Sequence, residues 1–223
     1  TLSKCRGRFP GAYPRSLVSG HGARVWDDGP VYDEAGRDRS WIDWICGLGA
    51  ITLGYHDGEV DEAVREQVEE HGPIFSLPNI GLEERVAQRL VDLIPCAESV
   101  RFLKTGSECT EAAIRVARAA TGRDVVLTCG YHGWHSWYAA TREEHPGVPV
   151  MMTQLARPFM YNDLASLERA VEDERVLTER GGYYNVAAII LEPTLIEPPA
   201  PGFLEGVRER ATRIGAVLIF DEM

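Results

Sequence analysis

Residues 100–123 read Val-Arg-Phe-Leu-Lys-Thr-Gly-Ser-Glu-Cys-Thr-Glu-Ala-Ala-Ile-Arg-Val-Ala-Arg-Ala-Ala-Thr-Gly-Arg, and residues 124–137 continue Asp-Val-Val-Leu-Thr-Cys-Gly-Tyr-His-Gly-Trp-His-Ser-Trp. The apolar run at 100–103 predicts a short strand that stops at Thr105-Gly106. A helix starts at once, because Thr105 and Glu108 have the spacing of a capping box. Ala113, Ile114, Val116, Ala117 and Ala120 supply its apolar face, and Thr121-Gly122 ends it. A second strand is predicted at 125–129. The order is strand, glycine turn, helix, strand. Such a turn offers free backbone N–H groups and the positive end of a helix dipole, which suits a phosphate. Taken alone it reads first as an ordinary βα turn with a capped helix, because such turns are common.

Outward from that unit the same alternation continues. Residues 163–174 and 204–214 predict helices, and 186–191 and 216–220 are continuous apolar runs, the mark of strands buried on both faces. Residues 150–153 are a further candidate strand, 179–185 a polar loop, and 131–149 a long loop carrying Tyr131, Trp134, Trp137 and Tyr138. Buried strands alternating with helices predict an α/β domain with a mainly parallel sheet flanked by helices. Before it, 1–20 reads as an irregular arm, and 23–26 and 40–45 as strands of a small antiparallel meander. Helices follow at 60–70, with Val60, Ala63, Val64 and Val68 as its apolar face, and at 83–93, with a loop at 74–80 between them. The expected division is a small α+β lead-in over 1–80 and a large domain over 81–223.

A net charge of −11 argues against a nucleic-acid backbone or an anionic membrane as partner. The cysteines (Cys5, Cys46, Cys96, Cys109, Cys129) are widely spaced with no C-x-x-C pair, so they read as reduced thiols of a cytoplasmic protein. No run of apolar residues is long enough for a membrane span.

In open α/β sheets ligands bind beyond the carboxyl ends of the strands. Here Gly106-Ser107-Glu108, Tyr131-His132-Gly133, Glu192 and Asp221 all follow predicted strands. A carboxylate placed after a buried strand is costly to desolvate unless something pairs with it. Two such carboxylates, an aromatic-histidine loop and a phosphate-ready turn make a site for a phosphorylated aromatic cation. Each alone could be a capping or surface residue. Two strand-end carboxylates could also be the acid–base pair of a glycoside hydrolase, which leaves the turn and Tyr131 unexplained. A metal at His132 and His135 lacks a second pair of ligands.

The run T-G-S-E, E-A-A-I-R-V-A-R, T-G-R and G-Y-H-G resembles the class III aminotransferases that use pyridoxal 5'-phosphate, with their glutamate-1-semialdehyde aminomutase branch most similar. The lead-in (Gly-Ala-Arg-Val-Trp-Asp, Gly-Ala-Ile-Thr-Leu-Gly-Tyr) and the tail (Leu-Glu-Pro, then Gly-Ala-Val-Leu-Ile-Phe-Asp-Glu) are similar too, so the likeness covers nearly the whole chain. It implies the fold type I of pyridoxal-phosphate-dependent transferases. It also implies small-molecule amino donors and carbonyl acceptors, and a homodimer. Residue by residue, it assigns Gly106, Ser107 and the Glu108 amide to the cofactor phosphate. Tyr131 matches the aromatic residue stacked on the pyridine ring, with His132 beside it. Asp221 matches the carboxylate that pairs with the pyridinium nitrogen, and Glu192 a glutamate near the cofactor that orients substrate or ring substituents.

The family's Schiff-base lysine lies downstream of that aspartate, whereas the only lysines here are Lys4 and Lys104. Neither stands at that position. The expectation is therefore an incomplete, N-terminal part of a longer enzyme, inactive alone. The alternative is a lysine-less pseudoenzyme or non-catalytic subunit of the same fold.

Overall fold

A computed structural model describes residues 16–31, 33–36, 38–72, 80–179 and 181–223, with Ile80 described by its backbone only. Lys4, Cys5, most of the expected arm and all but the last residue of the loop at 74–80 lie outside the described residues. The chain divides into two compact units, Thr1–Val86 and Ala87–Met223.

The first unit holds a three-stranded antiparallel meander of β1 (Leu17–His21), β2 (Arg24–Asp27) and β3 (Trp41–Ile42), in that order. The meander expected from 23–26 and 40–45 therefore forms, and β1 extends it into residues read as arm. Helix α1 (Gly58–His71) is capped by Asp57, whose carboxylate accepts from the amides of Glu59 and Val60. Its expected apolar face is not covered within the unit: none of its residues is buried. Helix α2 (Ile80–Leu93) spans the division between the units.

The second unit is built on a four-stranded sheet in the order β5-β4-β8-β9, parallel throughout. Its strands are β4 (Val125–Cys129), β5 (Ala156–Pro158), β8 (Val186–Leu191) and β9 (Val217–Phe220). Every residue of β4 and β8 is buried, and apart from Thr128 of β4 all of them are apolar. Successive side chains point to opposite faces. Val125, Leu127, Ile189 and Leu191 pack with Leu167 and Val171 of α5 (Leu164–Asp173) and Val207 and Ala211 of α6 (Phe203–Ile214). Val126, Ala188 and Ile190 pack with Ile114 and Ala117 of α3 (Gly106–Thr121) and with Trp137 and Tyr138 of the short helix α4 (Ser136–Ala139). The fold class is thus the expected one, a parallel sheet flanked by helices.

Five local expectations are corrected. Residues 100–103 form no ladder, and Phe102 and Leu103 are exposed. Val150–Gln154 is a 3-10 turn rather than a strand, with the Thr153 hydroxyl donating to the Val150 carbonyl. Residues 175–178 and 181–184, part of which was read as a polar loop, pair as antiparallel strands, β6 (Arg175–Thr178) with β7 (Gly181–Tyr184). β9 lies at the end of the strand order and is half-buried, not enclosed on both sides. On α3, Val116 and Ala120 face outward, and the buried stripe is Thr110, Ile114 and Ala117.

Candidate active site

The site residues are gathered at the carboxyl ends of β4, β8 and β9. One ladder-like bond beyond each strand pins them there: the Glu192 amide donates to the Cys129 carbonyl at 3.2 Å, and the Asp221 amide to the Leu191 carbonyl at 3.0 Å. Both carboxylates therefore leave the sheet at the same level, on neighbouring strands.

The turn before α3 is built by Thr105, whose hydroxyl accepts from the Glu108 amide at 3.2 Å. The Glu108 carboxylate reaches back to the Lys104 amide at 2.9 Å, one residue earlier than the usual reciprocal cap. Among the described residues the amides of Gly106 and Ser107 have no protein acceptor, as expected for the first turn of a helix. Ser107 Oγ accepts from the Trp134 amide at 3.3 Å, so its own proton is free to donate outward.

The loop after β4 closes on this turn. Gly133 has φ +98°, and a Cβ there would overlap Ser107 Oγ and lie 3.0 Å from the Ser107 Cα. Only glycine lets the loop backbone come this close. Gly130, at φ +104°, does the same for Glu192: a Cβ would overlap Oε2 and lie 3.0 Å from Cδ. That approach lets Glu192 Oε2 accept from the Tyr131 amide at 2.7 Å. The Tyr131 ring is 57% exposed and meets Tyr138 edge-on at 5.5 Å, leaving one face open. The Thr110 hydroxyl, buried on α3, lies 3.0 Å from the His132 carbonyl and 3.1 Å from that of Ser107, tying helix to loop.

His132 is buried. Its Nδ1 lies 2.9 Å from Asp221 Oδ2 and its Nε2 3.1 Å from the Cys129 carbonyl. Asp221 Oδ1 accepts from the Met223 amide at 3.3 Å, and the Met223 side chain lies over Gly106. Burial, with the Glu192 charge second, pushes the Cys129 thiol from 9.0 up to about 11. Burial likewise raises Tyr138, whose hydroxyl donates to the Gly130 carbonyl at 2.7 Å.

All seven expected site residues (Gly106, Ser107, Glu108, Tyr131, His132, Glu192, Asp221) thus fall on one rim, linked through Gly133–Ser107, Glu192–Tyr131 and His132–Asp221. The arrangement offers donors for a phosphate, an open aromatic face, and a carboxylate for a cationic ring nitrogen. The residues fit a phosphorylated pyridinium, the glycine-permitted approach of the loop to the turn before α3 being the feature least expected otherwise. Gly130, Gly133, Thr110 and the Cys129 carbonyl also shape the site. Their signal in the sequence was the pair of glycines bracketing Tyr131-His132. Among the described residues no cluster of histidine, cysteine and carboxylates could hold a metal ion.

The comparisons with known proteins place the chain in a family. The family pattern described as aminotransferase class-III matches residues 22–223, so the chain belongs to the class III aminotransferase family. The 3-aminobutyryl-CoA aminotransferase of Cloacimonas acidaminovorans is 38% identical over 221 residues, 96% of this chain and 48% of that protein. The glutamate-1-semialdehyde 2,1-aminomutase of Pelotomaculum thermopropionicum is 33% identical over 230 residues, again 96% of this chain and 49% of that one. An omega-transaminase from Sphaerobacter thermophilus superposes with a TM-score of 0.75 at 27% identity, covering 95% of this chain and 49% of that chain. The chain spans about half the length of the curated relatives it matches.

Proposed function

We propose that this chain forms the cofactor-cradling part of a class III aminotransferase or aminomutase that uses pyridoxal 5'-phosphate. The observation that carries the reading is the close approach of Gly133 to Ser107, which brings the Tyr131–His132 loop onto a helix start with two free amides. Gly106, Ser107 and the first turn of α3 bind the phosphate by N–H and hydroxyl donation and by the helix dipole. Tyr131 presents its open face to the ring. Asp221 holds a proton on the ring nitrogen by pairing with it as a carboxylate. Glu192, fixed by the Tyr131 amide, keeps one carboxylate oxygen for a substrate or ring substituent. Bound there, pyridoxal phosphate supplies an aldehyde for the amine and a protonated ring that draws electrons from the bond to be broken.

The transfer itself belongs to the whole protein. Lys4 and Lys104 do not stand at the family's Schiff-base position, so the residues of this chain bind and orient but do not supply the lysine. The substrates are a small amino donor and a carbonyl acceptor. The family resemblance supports a homodimer, and the wide spacing of the cysteines, free at the four described positions, a cytoplasmic setting. Among the described residues no helix is long and apolar enough to cross a membrane.

Calorimetric titration of the purified chain tests the reading. Pyridoxal 5'-phosphate should bind, pyridoxal without the phosphate at least about tenfold more weakly, and Ser107→Ala should narrow that gap. Equal affinity for the two aldehydes would refute the phosphate cradle. If the phosphate form binds but the whole protein shows no Schiff-base absorbance, the lysine-less alternative is the correct one.

A further inference from the structure

The loop between β4 and α4 turns on one peptide, the unit that joins Gly130 to Tyr131. Gly130 stands at φ +104°, and without a Cβ it leaves that unit free to swing. Two side chains grip the unit at opposite edges. Its N–H, that of Tyr131, donates to Glu192 Oε2 at 2.7 Å. Its carbonyl, that of Gly130, accepts from the Tyr138 hydroxyl at 2.7 Å. The C=O and N–H of a trans peptide point in opposite directions, so the two bonds oppose each other across one plane. A flip of that plane would strand the hydroxyl and turn a carbonyl oxygen toward the Glu192 carboxylate.

We infer that Tyr138 is a positioning residue: with Glu192 it clamps the Gly130–Tyr131 peptide, which sets the plane of the exposed Tyr131 ring and the direction of the second Glu192 oxygen. The hydroxyl acts through the peptide and need not touch a ligand. Its bond to the carbonyl also polarises the peptide, which strengthens the N–H bond to Glu192. Both ends of the clamp are anchored. The Tyr138 carbonyl accepts from the Thr141 amide at 2.9 Å and from the Thr141 hydroxyl at 2.8 Å. The buried Tyr138 ring meets Tyr131 and His132 edge-on, each at 5.5 Å, and Trp137 at 5.7 Å. Burial raises its hydroxyl above the ordinary range, so the group keeps its proton and donates at neutral pH. Glu192 is tied at its own amide to the Cys129 carbonyl at 3.2 Å. A ring that only filled the core would not need the hydroxyl, and phenylalanine would serve.

The use of the clamp rests on the proposed pyridoxal-phosphate reading, but the clamp itself does not. The first measurement is amide hydrogen exchange of the chain without cofactor, in wild type and in Tyr138→Phe, which keeps the ring and its edge contacts. Loss of one hydrogen bond should make the Tyr131 amide exchange about fivefold faster and leave the Ile189 amide, in the middle of β8, within about twofold of wild type. An unchanged Tyr131 amide overturns the inference. Equal acceleration at Ile189 overturns it too, because the hydroxyl would then support the core as a whole. The second measurement is the calorimetric affinity for pyridoxal 5'-phosphate of wild type, Tyr138→Phe, Glu192→Ala and the double variant. Acting through the shared peptide, the hydroxyl should be worth about fivefold in affinity when Glu192 is present and less than about twofold once the opposite grip is gone. Equal losses in both backgrounds refute the coupling. If wild type does not bind the ligand, the pyridoxal-phosphate reading fails, and the exchange rates still decide the clamp.

Discussion

Gly133→Ala is the substitution whose effect follows most directly from the structure. At φ +98° an L-residue is strained, a penalty of about 1–2 kcal/mol. The new methyl would also overlap Ser107 Oγ and sit 2.9 Å from Cβ and 3.0 Å from Cα. Reaching ordinary contact at 3.4 Å requires the Ser107 backbone to retreat by about 3.4 − 3.0 = 0.4 Å, and that backbone is the first turn of α3. Overpacking of this kind costs about 1–3 kcal/mol, so the whole change should destabilise the second unit by about 2–5 kcal/mol. Gly147→Ala is the control: its φ is +79°, but nothing lies within 4 Å of the added Cβ, so only the backbone term remains. Urea unfolding followed by tryptophan fluorescence reads both, Trp137 being a buried reporter in this unit. Adding Ser107→Gly to Gly133→Ala removes the overlapped side chain and should recover part of the overlap cost. If Gly133→Ala and Gly147→Ala cost the same, the loop does not press on the turn before α3.

The remaining expectations are simpler. The Cys129 thiol, raised to about 11, should react with a thiol reagent far more slowly at pH 8 than exposed Cys109, and Glu192→Gln should speed it by removing the second cause of the rise. The same shift favours the folded state below pH 9.0, and that contribution is lost as pH rises toward about 11. Thr105→Ala removes the hydroxyl that caps α3 and should lower stability by about 0.5–2 kcal/mol in the same urea assay. Ile189→Ala, in the fully buried centre of β8, should cost about 2–5 kcal/mol.

Much of this was readable in the chain. The strands at 125–129 and 186–191 match the structure residue for residue, because burial on both faces leaves a run that is wholly apolar in 186–191 and broken only by Thr128 in 125–129. The start of α3 was legible through its cap, Thr105, and its end through Gly122, which adopts φ +65°. The strand pair at 175–178 and 181–184 was not legible, since its exposed Gly-Gly-Tyr-Tyr strand lacks apolar alternation. Conversely, 100–103 and 150–153 are apolar without being strands. Apolar content alone does not supply a ladder partner, and Val150 and Met151 remain 75% and 70% exposed. For the site, the polar residues at strand ends could be named, since position after a strand is a local property. The steric work of Gly130 and Gly133, and the double acceptor environment of His132, could not. Those depend on three strands and a helix meeting in space.

The most direct test of the central claim is the amide NMR spectrum of the chain titrated with pyridoxal 5'-phosphate and, separately, with pyridoxal. A phosphate held on the free N–H groups of α3 should move the Gly106 and Ser107 amide resonances strongly downfield with the phosphorylated ligand and leave them nearly unmoved with pyridoxal. Resonances that stay in place with both ligands, or shift equally with both, would contradict a phosphate site at this turn.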